Sequence, residues 1–152
     1  MGKLIGYMVT WTTYGTWLQG DKRGYVKNGK ILEPDPELEK ANQRQQSFDK
    51  VTLTSLQREI IKSVILSEAK QIGQKIFAIA VCSNHVHILV EAINKTPSYI
   101  TGRYKRAGTI AMLRAGFKGK LWTQGFDKRY CFDEDSLQKR IQYIEKHNIQ
   151  PI

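Results

Sequence analysis

Two apolar segments joined by a two-residue turn constrain the fold of this chain more than any other feature. Residues 75–82, KIFAIAVC, are short and almost continuously apolar, which is typical of a central strand buried on both faces. The next segment, HVHILVE, alternates, so one face of a strand would carry His85, His87 and Leu89 and the other Val86, Ile88 and Val90. The pair predicts a β-hairpin in the middle of a sheet, with its turn at Ser83 and Asn84.

Helical patterns lie on both sides of this hairpin. Before it, Thr54 and Gln57 form a capping box at the start of an apolar repeat that ends at Gly73. After it, Thr96 as N-cap and Pro97 begin a second helix that extends to about Ala115. A last helix follows the acidic residues 133–135, and its apolar stripe consists of Leu137, Ile141 and Ile144.

Two further segments complete the predicted sheet. Residues 7–14, YMVTWTTY, are rich in aromatic and β-branched residues, and residues 129–132 are a candidate fourth strand. The resulting order is βαββαβ with an added C-terminal helix. It predicts an α+β, ferredoxin-like fold in which both crossover helices cover one face of an antiparallel sheet. We expect the other face, with His85 and His87, to be free for function.

The 152 residues are expected to form a single domain. Residues 15–30 are glycine-rich and predict a long loop or a loose hairpin, and residues 33–50 predict a surface insertion. The chain is 41% hydrophobic and has no apolar run of membrane-spanning length or secretory signal, so we expect a cytoplasmic protein with no membrane partner. Cys82 and Cys131 lie far apart and predict core thiols, not a disulfide framework or a thiolate zinc site.

An excess of positive charge points to a polyanionic partner. The chain has 24 Lys and Arg against 14 Asp and Glu, a net charge of +10, although charge of this kind can also serve solubility alone. Four cations on the second predicted helix are candidates for phosphate contacts: Arg103, Lys105, Arg106 and Arg114. The glycine-rich segment carries three further cations, Lys22, Arg23 and Lys27. Two interpretations stay open for them: solvated surface side chains, or contacts with a nucleic-acid strand.

Aromatic residues near the first strand are candidates for stacking on unpaired bases: Trp11, Tyr14 and Trp17. A position in the hydrophobic core explains them at least as well, and especially Trp11 on the strand itself.

The two histidines of the hairpin point to one side of their strand, close enough to share a metal ion. The spacing alone is equally consistent with two core histidines whose ring nitrogens are hydrogen-bonded. Burial of two imidazoles without such partners would cost a few kcal/mol. On the last helix, Tyr143 and His147 are four residues apart and project to one side. Boundary positions of an amphipathic helix are the alternative for this second pair.

Four segments resemble a known family when they are taken together. SNHVHILVE at residues 83–91 resembles the HUH motif of the single-tyrosine transposases, and YIEKH at residues 143–147 resembles their C-terminal motif. Residues 11–26 resemble the opening of the subgroup of REP-associated tyrosine transposases, and residues 121–130 resemble the tryptophan-containing region before the last helix. The likeness covers nearly the whole chain in the correct order, with residues 33–50 as the weakest part.

This resemblance implies a metal-dependent DNA transposase that cleaves and rejoins single-stranded or hairpin DNA. Tyr143 would attack a phosphodiester and form a 5′-phosphotyrosine link, and the divalent ion, Mg²⁺ or Mn²⁺, would be held by His85, His87 and His147. Relatives often have Gln or Asn at the third ligand position, and three imidazoles would suit softer ions such as Mn²⁺, Co²⁺ or Zn²⁺. Relatives include monomers and homodimers, so both states are open here.

Three alternatives stay open at the level of sequence. The first is a catalytically silent protein on the same scaffold that only binds single-stranded nucleic acid. The second is a small metallo-phosphodiesterase that uses activated water and forms no covalent adduct. The third concerns the nucleophile, since Tyr104 lies among three cations of the second helix and is the strongest rival of Tyr143.

Overall fold

The structure is a computed structural model and describes residues 2–16, 25–27, 30–32 and 50–149. Its main sheet has four strands: β1 (Gly6–Thr12), β4 (Ile76–Val81), β5 (His85–Glu91) and β6 (Asp127–Cys131). Three helices accompany it: α1 (Ser55–Ile72), α2 (Pro97–Arg114) and α3 (Glu134–Ile149). Two short strands, β2 (Tyr25–Lys27) and β3 (Lys30–Leu32), pair antiparallel as a separate hairpin within the segment predicted to be a loop or loose hairpin.

The strands of the main sheet lie in the order β4-β5-β1-β6, and every neighbouring pair is antiparallel. Strands joined through a helix are therefore parallel and separated by one strand, which is the ferredoxin-like arrangement predicted from the sequence. The capping box at Thr54 and the N-cap at Thr96 are both present, and Gly73 ends α1 with a positive φ of 71°. The predicted insertion lies outside the described residues except for Lys50.

Alternation along the strands gives the sheet two apolar faces. Tyr7, Val9 and Trp11 of β1 belong to a core shared with α1 and α2, which contribute among others Ile65 and Tyr104. The opposite face, with Met8, Leu89 and Cys131, forms a second core with Leu137 and Ile144 of α3. Both cysteines are buried and free, as predicted.

The second core corrects one expectation. The sheet face with the two histidines was expected to be free, but α3 packs across it through its apolar stripe. A bare face with Met8, Ala80 and Leu89 would leave apolar surface in water, and α3 removes that surface from solvent. Function on this side of the sheet is therefore confined to the margin of α3.

Candidate active site

Strand pairing places the two hairpin histidines side by side at one end of the sheet. In the β1–β5 ladder, Thr12 pairs with His85 and Thr10 pairs with His87. The imidazole rings lie 4.7 Å apart between centroids. His87 is buried, with 6% of its surface exposed, and His85 is half-buried. Both rings are on the same face of the sheet as Leu89, as the alternation of β5 predicted, and α3 packs on that face.

Helix α3 brings Tyr143 and His147 to the same place. The ring of His147 lies 4.6 Å from that of His87 and 5.7 Å from that of His85. The ring of Tyr143 lies 5.5 Å from that of His87 and 4.8 Å from that of His147. Four residues from a strand and a distant helix therefore form one cluster of aromatic rings at the margin of α3.

The three imidazoles fit a divalent metal ion. One ligand nitrogen from each of His85, His87 and His147 can be chosen so that all lie within 4.8 Å of one another. Histidine nitrogen is a common ligand of Zn²⁺ and other transition metals, and three imidazoles leave coordination positions for water or substrate. These residues would hold the cation that the sequence predicted.

Hydrogen bonds orient each imidazole through its Nδ1 atom. His85 Nδ1 is 2.7 Å from Asn84 Oδ1, and His147 Nδ1 donates to the carbonyl of Tyr143 over 2.9 Å. His87 Nδ1 is 2.7 Å from the hydroxyl of Thr10. For His85 and His147 the partner is an acceptor oxygen, so Nδ1 carries the proton and the lone pair for a metal is on Nε2. The Thr10 hydroxyl can accept from His87 Nδ1, which allows the same tautomer there.

The surroundings of the cluster keep its two strand histidines neutral. Burial lowers the pKa of His87 to about 3, and the neighbouring His85 and His147 act in the same direction. Burial also lowers the pKa of His85, followed in size by the influence of His147. An imidazole must be neutral to donate its lone pair, so this environment favours metal binding over protonation.

The side chain of Tyr143 is accessible, with 46% of its surface exposed. The phenol therefore stands beside the imidazoles on a surface that a large substrate can approach. The next residue after His147, Asn148, contacts the sheet: its Nδ2 donates to the carbonyl of Ile79 on β4 over 3.0 Å. This bond ties the C-terminal turn of α3 to the sheet.

The rival tyrosines lie elsewhere. Tyr104 is completely buried, its hydroxyl donates to Gln74 Oε1, and burial raises its pKa well above the usual value. It can neither meet a DNA phosphate nor ionise easily. Tyr130 pairs with Tyr7 across β1 and β6 and so lies on the sheet face opposite the imidazoles.

The four cations predicted on α2 are in different environments. Arg106 and Arg114 are exposed. Arg103 is paired with Glu68 at 2.9 Å. Lys105 is half-buried, and its ammonium donates to the carbonyls of Thr123 and Gly125. Helical periodicity turns Lys105 toward the segment that precedes β6, so it does not belong to an exposed basic face.

The aromatic candidates also differ. Trp11 is completely buried and packs edge-to-face against Trp122 at 5.8 Å. Trp11 is therefore a core residue, and its ring is not free to stack on a base. Tyr14 is half-buried. Trp17, Lys22 and Arg23 lie outside the described residues, as does the side chain of Lys27.

Sequence reasoning missed two residues that support the site, Thr10 and Asn84. The contact of Thr10 with His87 depends on the β1–β5 register, which the sequence does not reveal. Asn84 adjoins His85, so its position next to the histidine pair was a usable signal. Its amide oxygen faces the imidazole because the turn places it there.

Comparison with known proteins identifies a family for this chain and similar folds among solved structures. The family model described as "Transposase IS200 like" matches residues 41–147. Among solved structures, the fold is similar to a REP-associated tyrosine transposase bound to a REP hairpin, with a TM-score of 0.59 and 13% identity over 95% of this chain and 67% of that chain. It is also similar to a Deinococcus radiodurans R1 protein classed provisionally as a transposase, with a TM-score of 0.50 and 17% identity over 97% and 93% of the two chains.

No curated protein matches this sequence significantly. Within the described residues, none of the helices combines the length and the apolar character that crossing a membrane requires.

Proposed function

Because the chain belongs to the IS200-like transposase family, we propose that it is a metal-dependent transposase that cleaves and rejoins single-stranded or hairpin DNA through Tyr143. The observation that carries the proposal is the convergence of Tyr143 on the three histidines. Its ring lies 5.5 Å from His87 and 4.8 Å from His147, and its side chain is 46% exposed. A nucleophile beside a set of metal ligands, open to a large substrate, is the arrangement that phosphodiester transfer requires.

The proposed reaction exchanges one phosphodiester bond for another, so the energy of the broken bond is kept in the link to tyrosine. The phenolic oxygen of Tyr143 forms a bond to phosphorus, the bond from phosphorus to the 3′-oxygen breaks, and the 3′-oxygen leaves as a hydroxyl. The product is a 5′-phosphotyrosine. A later attack by a 3′-hydroxyl reverses the step and releases the tyrosine, so no nucleotide hydrolysis is required.

The residues of the site can compensate for the low reactivity of a phenol as a nucleophile. An ordinary phenol has a pKa near ~10 and is mostly protonated at neutral pH. A divalent cation held by His85, His87 and His147 supplies stabilisation for the negative charge that develops on the phosphate. His85 and His87 are held neutral by their surroundings, and all three rings are oriented through Nδ1. Three nitrogen ligands favour Mn²⁺, Co²⁺ or Zn²⁺ over Mg²⁺.

The proposed substrate is supported by the positive net charge of the chain and by the similar solved structure of a REP-associated tyrosine transposase. A net charge of +10 favours a polyanion, and Arg106 and Arg114 are exposed for contacts with phosphates. The similar REP-associated tyrosine transposase is bound to a REP hairpin. Single-stranded or hairpin DNA is therefore the substrate class that we propose for this protein.

A denaturing gel with labelled DNA tests the proposal. The protein is incubated with labelled single-stranded or hairpin DNA and Mn²⁺ or Mg²⁺, and the gel is examined for label on the protein. We expect an adduct from the wild type, none from Tyr143→Phe, and similar DNA binding by both. Cleavage without an adduct would favour activated water, and binding without cleavage in both forms would favour a silent binding protein; either result would overturn the proposal.

A further inference from the structure

A second concave surface lies outside the imidazole cluster, beyond the end of β1. It is a cleft of about 500 Å³, formed where Tyr14, residues 50–52 and residues 117–120 meet. Thr12 pairs with His85 of the candidate active site, and Tyr14, two residues later, lines the cleft. The cleft therefore lies at the same end of β1 as the candidate active site, but on the side of the sheet covered by α1 and α2, where Val51 and Phe117 pack, whereas the imidazoles are on the α3 side.

Backbone hydrogen bonds fix the walls of this cleft. The amide of Tyr14 donates to the carbonyl of Leu121 over 2.8 Å, and the amide of Val51 donates to the carbonyl of Tyr14 over 2.8 Å. Gly15 has a φ of +86°, and a Cβ atom there would lie 2.7 Å from Lys50 Cα. Tyr14 is thus held between two segments that are distant in sequence, and the cleft is a built feature of the fold.

The lining combines positive charge with aromatic rings. Lys50, Lys118 and Lys120 all line the cleft, and among the described residues that line it none is acidic. The ammonium of Lys120 lies 5.2 Å from the centroid of the Tyr14 ring, and Phe117 adds a second ring. Lys105 also feels the positive charge of Lys120: its pKa is lowered mainly by burial and, to a smaller extent, by repulsion from Lys120. An anion bound in the cleft would relieve this repulsion.

We propose that the cleft binds one unpaired nucleotide of a single-stranded DNA, with its phosphate against Lys118 and Lys120 and its base against the aromatic rings of Tyr14 and Phe117. Lysines attract phosphate without regard to sequence, and aromatic rings stack on any exposed base. A base within a duplex is stacked on its neighbours and cannot enter a cleft of this kind. The inference rests on the proposed function, because it assumes that the substrate is DNA with unpaired nucleotides.

The experiment compares variants in a binding assay without metal. Fluorescence anisotropy with a labelled oligo-dT, an abasic oligonucleotide of the same length and a duplex is measured in EDTA, so that binding does not depend on a bound cation. The variants are Lys118→Gln/Lys120→Gln and Tyr14→Leu. The matched control for charge is Lys3→Gln/Lys70→Gln, two exposed lysines away from the cleft, and Tyr14→Phe is the control that keeps the ring.

We expect the cleft lysine variant to bind oligo-dT about tenfold more weakly than its control, with the slope of log affinity against log salt reduced by roughly 1.4. Tyr14→Leu should weaken oligo-dT binding about fivefold or more and leave the abasic oligonucleotide unchanged. Tyr14→Phe should bind like the wild type. Duplex binding should change no more in the cleft lysine variant than in the control.

Equal affinities of the cleft and control lysine variants for oligo-dT would overturn the inference. So would equal weakening of oligo-dT and abasic binding by Tyr14→Leu, which would show that no base is held there. The covalent adduct of Tyr143 is scored separately. An adduct together with unaltered binding in the cleft variants rejects only the cleft, whereas the expected binding pattern without any adduct rejects only the proposed catalysis.

Discussion

The ring of His147 on α3 lies 4.6 Å from the ring of His87 on β5, and this proximity exists only because α3 is packed across the sheet. His87 belongs to the hairpin, whereas His147 and Tyr143 come from the last helix. The helix therefore has to be docked for the site to be complete. Residues that dock it are expected to control metal binding and activity without touching substrate.

Leu137→Ala tests this dependence on docking. Leu137 is 4% exposed in the core between α3 and the sheet, so the substitution should lower the free energy of unfolding by about 2 to 4 kcal/mol and weaken metal binding and adduct formation. Urea unfolding and calorimetric metal titration measure both effects. Leu113→Ala on α2 is the control, since Leu113 is 56% exposed and its loss should cost less than about 0.5 kcal/mol. Equal behaviour of the two variants would contradict the prediction.

Thr10→Val tests the support of His87. The Thr10 hydroxyl lies 2.7 Å from His87 Nδ1, and loss of such a partner of a metal-ligating histidine commonly costs roughly 10- to 100-fold in metal affinity. We expect a loss in this range for Mn²⁺ or Zn²⁺ in a calorimetric titration. Thr109→Val is the control, because the Thr109 hydroxyl bonds only the Lys105 carbonyl of its own helix. Unchanged metal affinity in Thr10→Val would show that the hydroxyl does not orient the ring.

His147→Gln tests the choice of metal. Replacement of a nitrogen ligand by an amide oxygen should weaken Zn²⁺ binding by roughly tenfold or more and reduce the preference for Zn²⁺ over Mg²⁺. Lys146→Gln is the control, because Lys146 is exposed on the same turn of α3 and its replacement should leave metal affinity little changed. If His147→Gln kept the Zn²⁺ affinity of the Lys146→Gln control, the assignment of the third ligand would be wrong.

The order of elements and the three histidines could be predicted from sequence because both follow from local patterns. Alternation in β5 assigns a side to His85 and His87, and the helix period puts Tyr143 beside His147. The packing partner of α3 does not follow from such patterns, because an apolar stripe does not specify which surface it covers. For the same reason Lys105 was a candidate for phosphate contacts, although its ammonium is bonded to the carbonyls of Thr123 and Gly125.

Two glycines of α2 give a matched test of packing around Trp122. Gly102 is exposed and a Cβ there meets nothing within 4 Å, so Gly102→Ala should stabilise the protein by about 0.5 to 1 kcal/mol through helix propensity. A Cβ at Gly108 would lie 3.0 Å from Trp122 Cζ2. Gly108→Ala should therefore gain less or lose stability, as thermal unfolding can show. A gain as large as that of Gly102→Ala would mean that Trp122 moves aside freely.

Tyr104→Phe tests the pH dependence of stability and the identity of the nucleophile together. Burial raises the pKa of Tyr104 in the folded protein, whereas an unfolded tyrosine has a pKa near ~10. Above pH ~10 the unfolded chain releases a proton that the folded chain keeps, so this contribution to stability is complete below pH ~10 and decreases as the pH rises, by up to about 1.4 kcal/mol per pH unit.

Tyr104→Phe should remove this part of the alkaline decline. At neutral pH it should cost about 1 kcal/mol, because Gln74 Oε1 loses the hydroxyl that donates to it. Urea unfolding of the wild type and of Tyr104→Phe at a series of pH values measures both effects. Adduct formation should persist in Tyr104→Phe. Loss of the adduct in a variant that is still folded would make Tyr104 essential to catalysis and contradict the assignment of Tyr143 as the sole nucleophile.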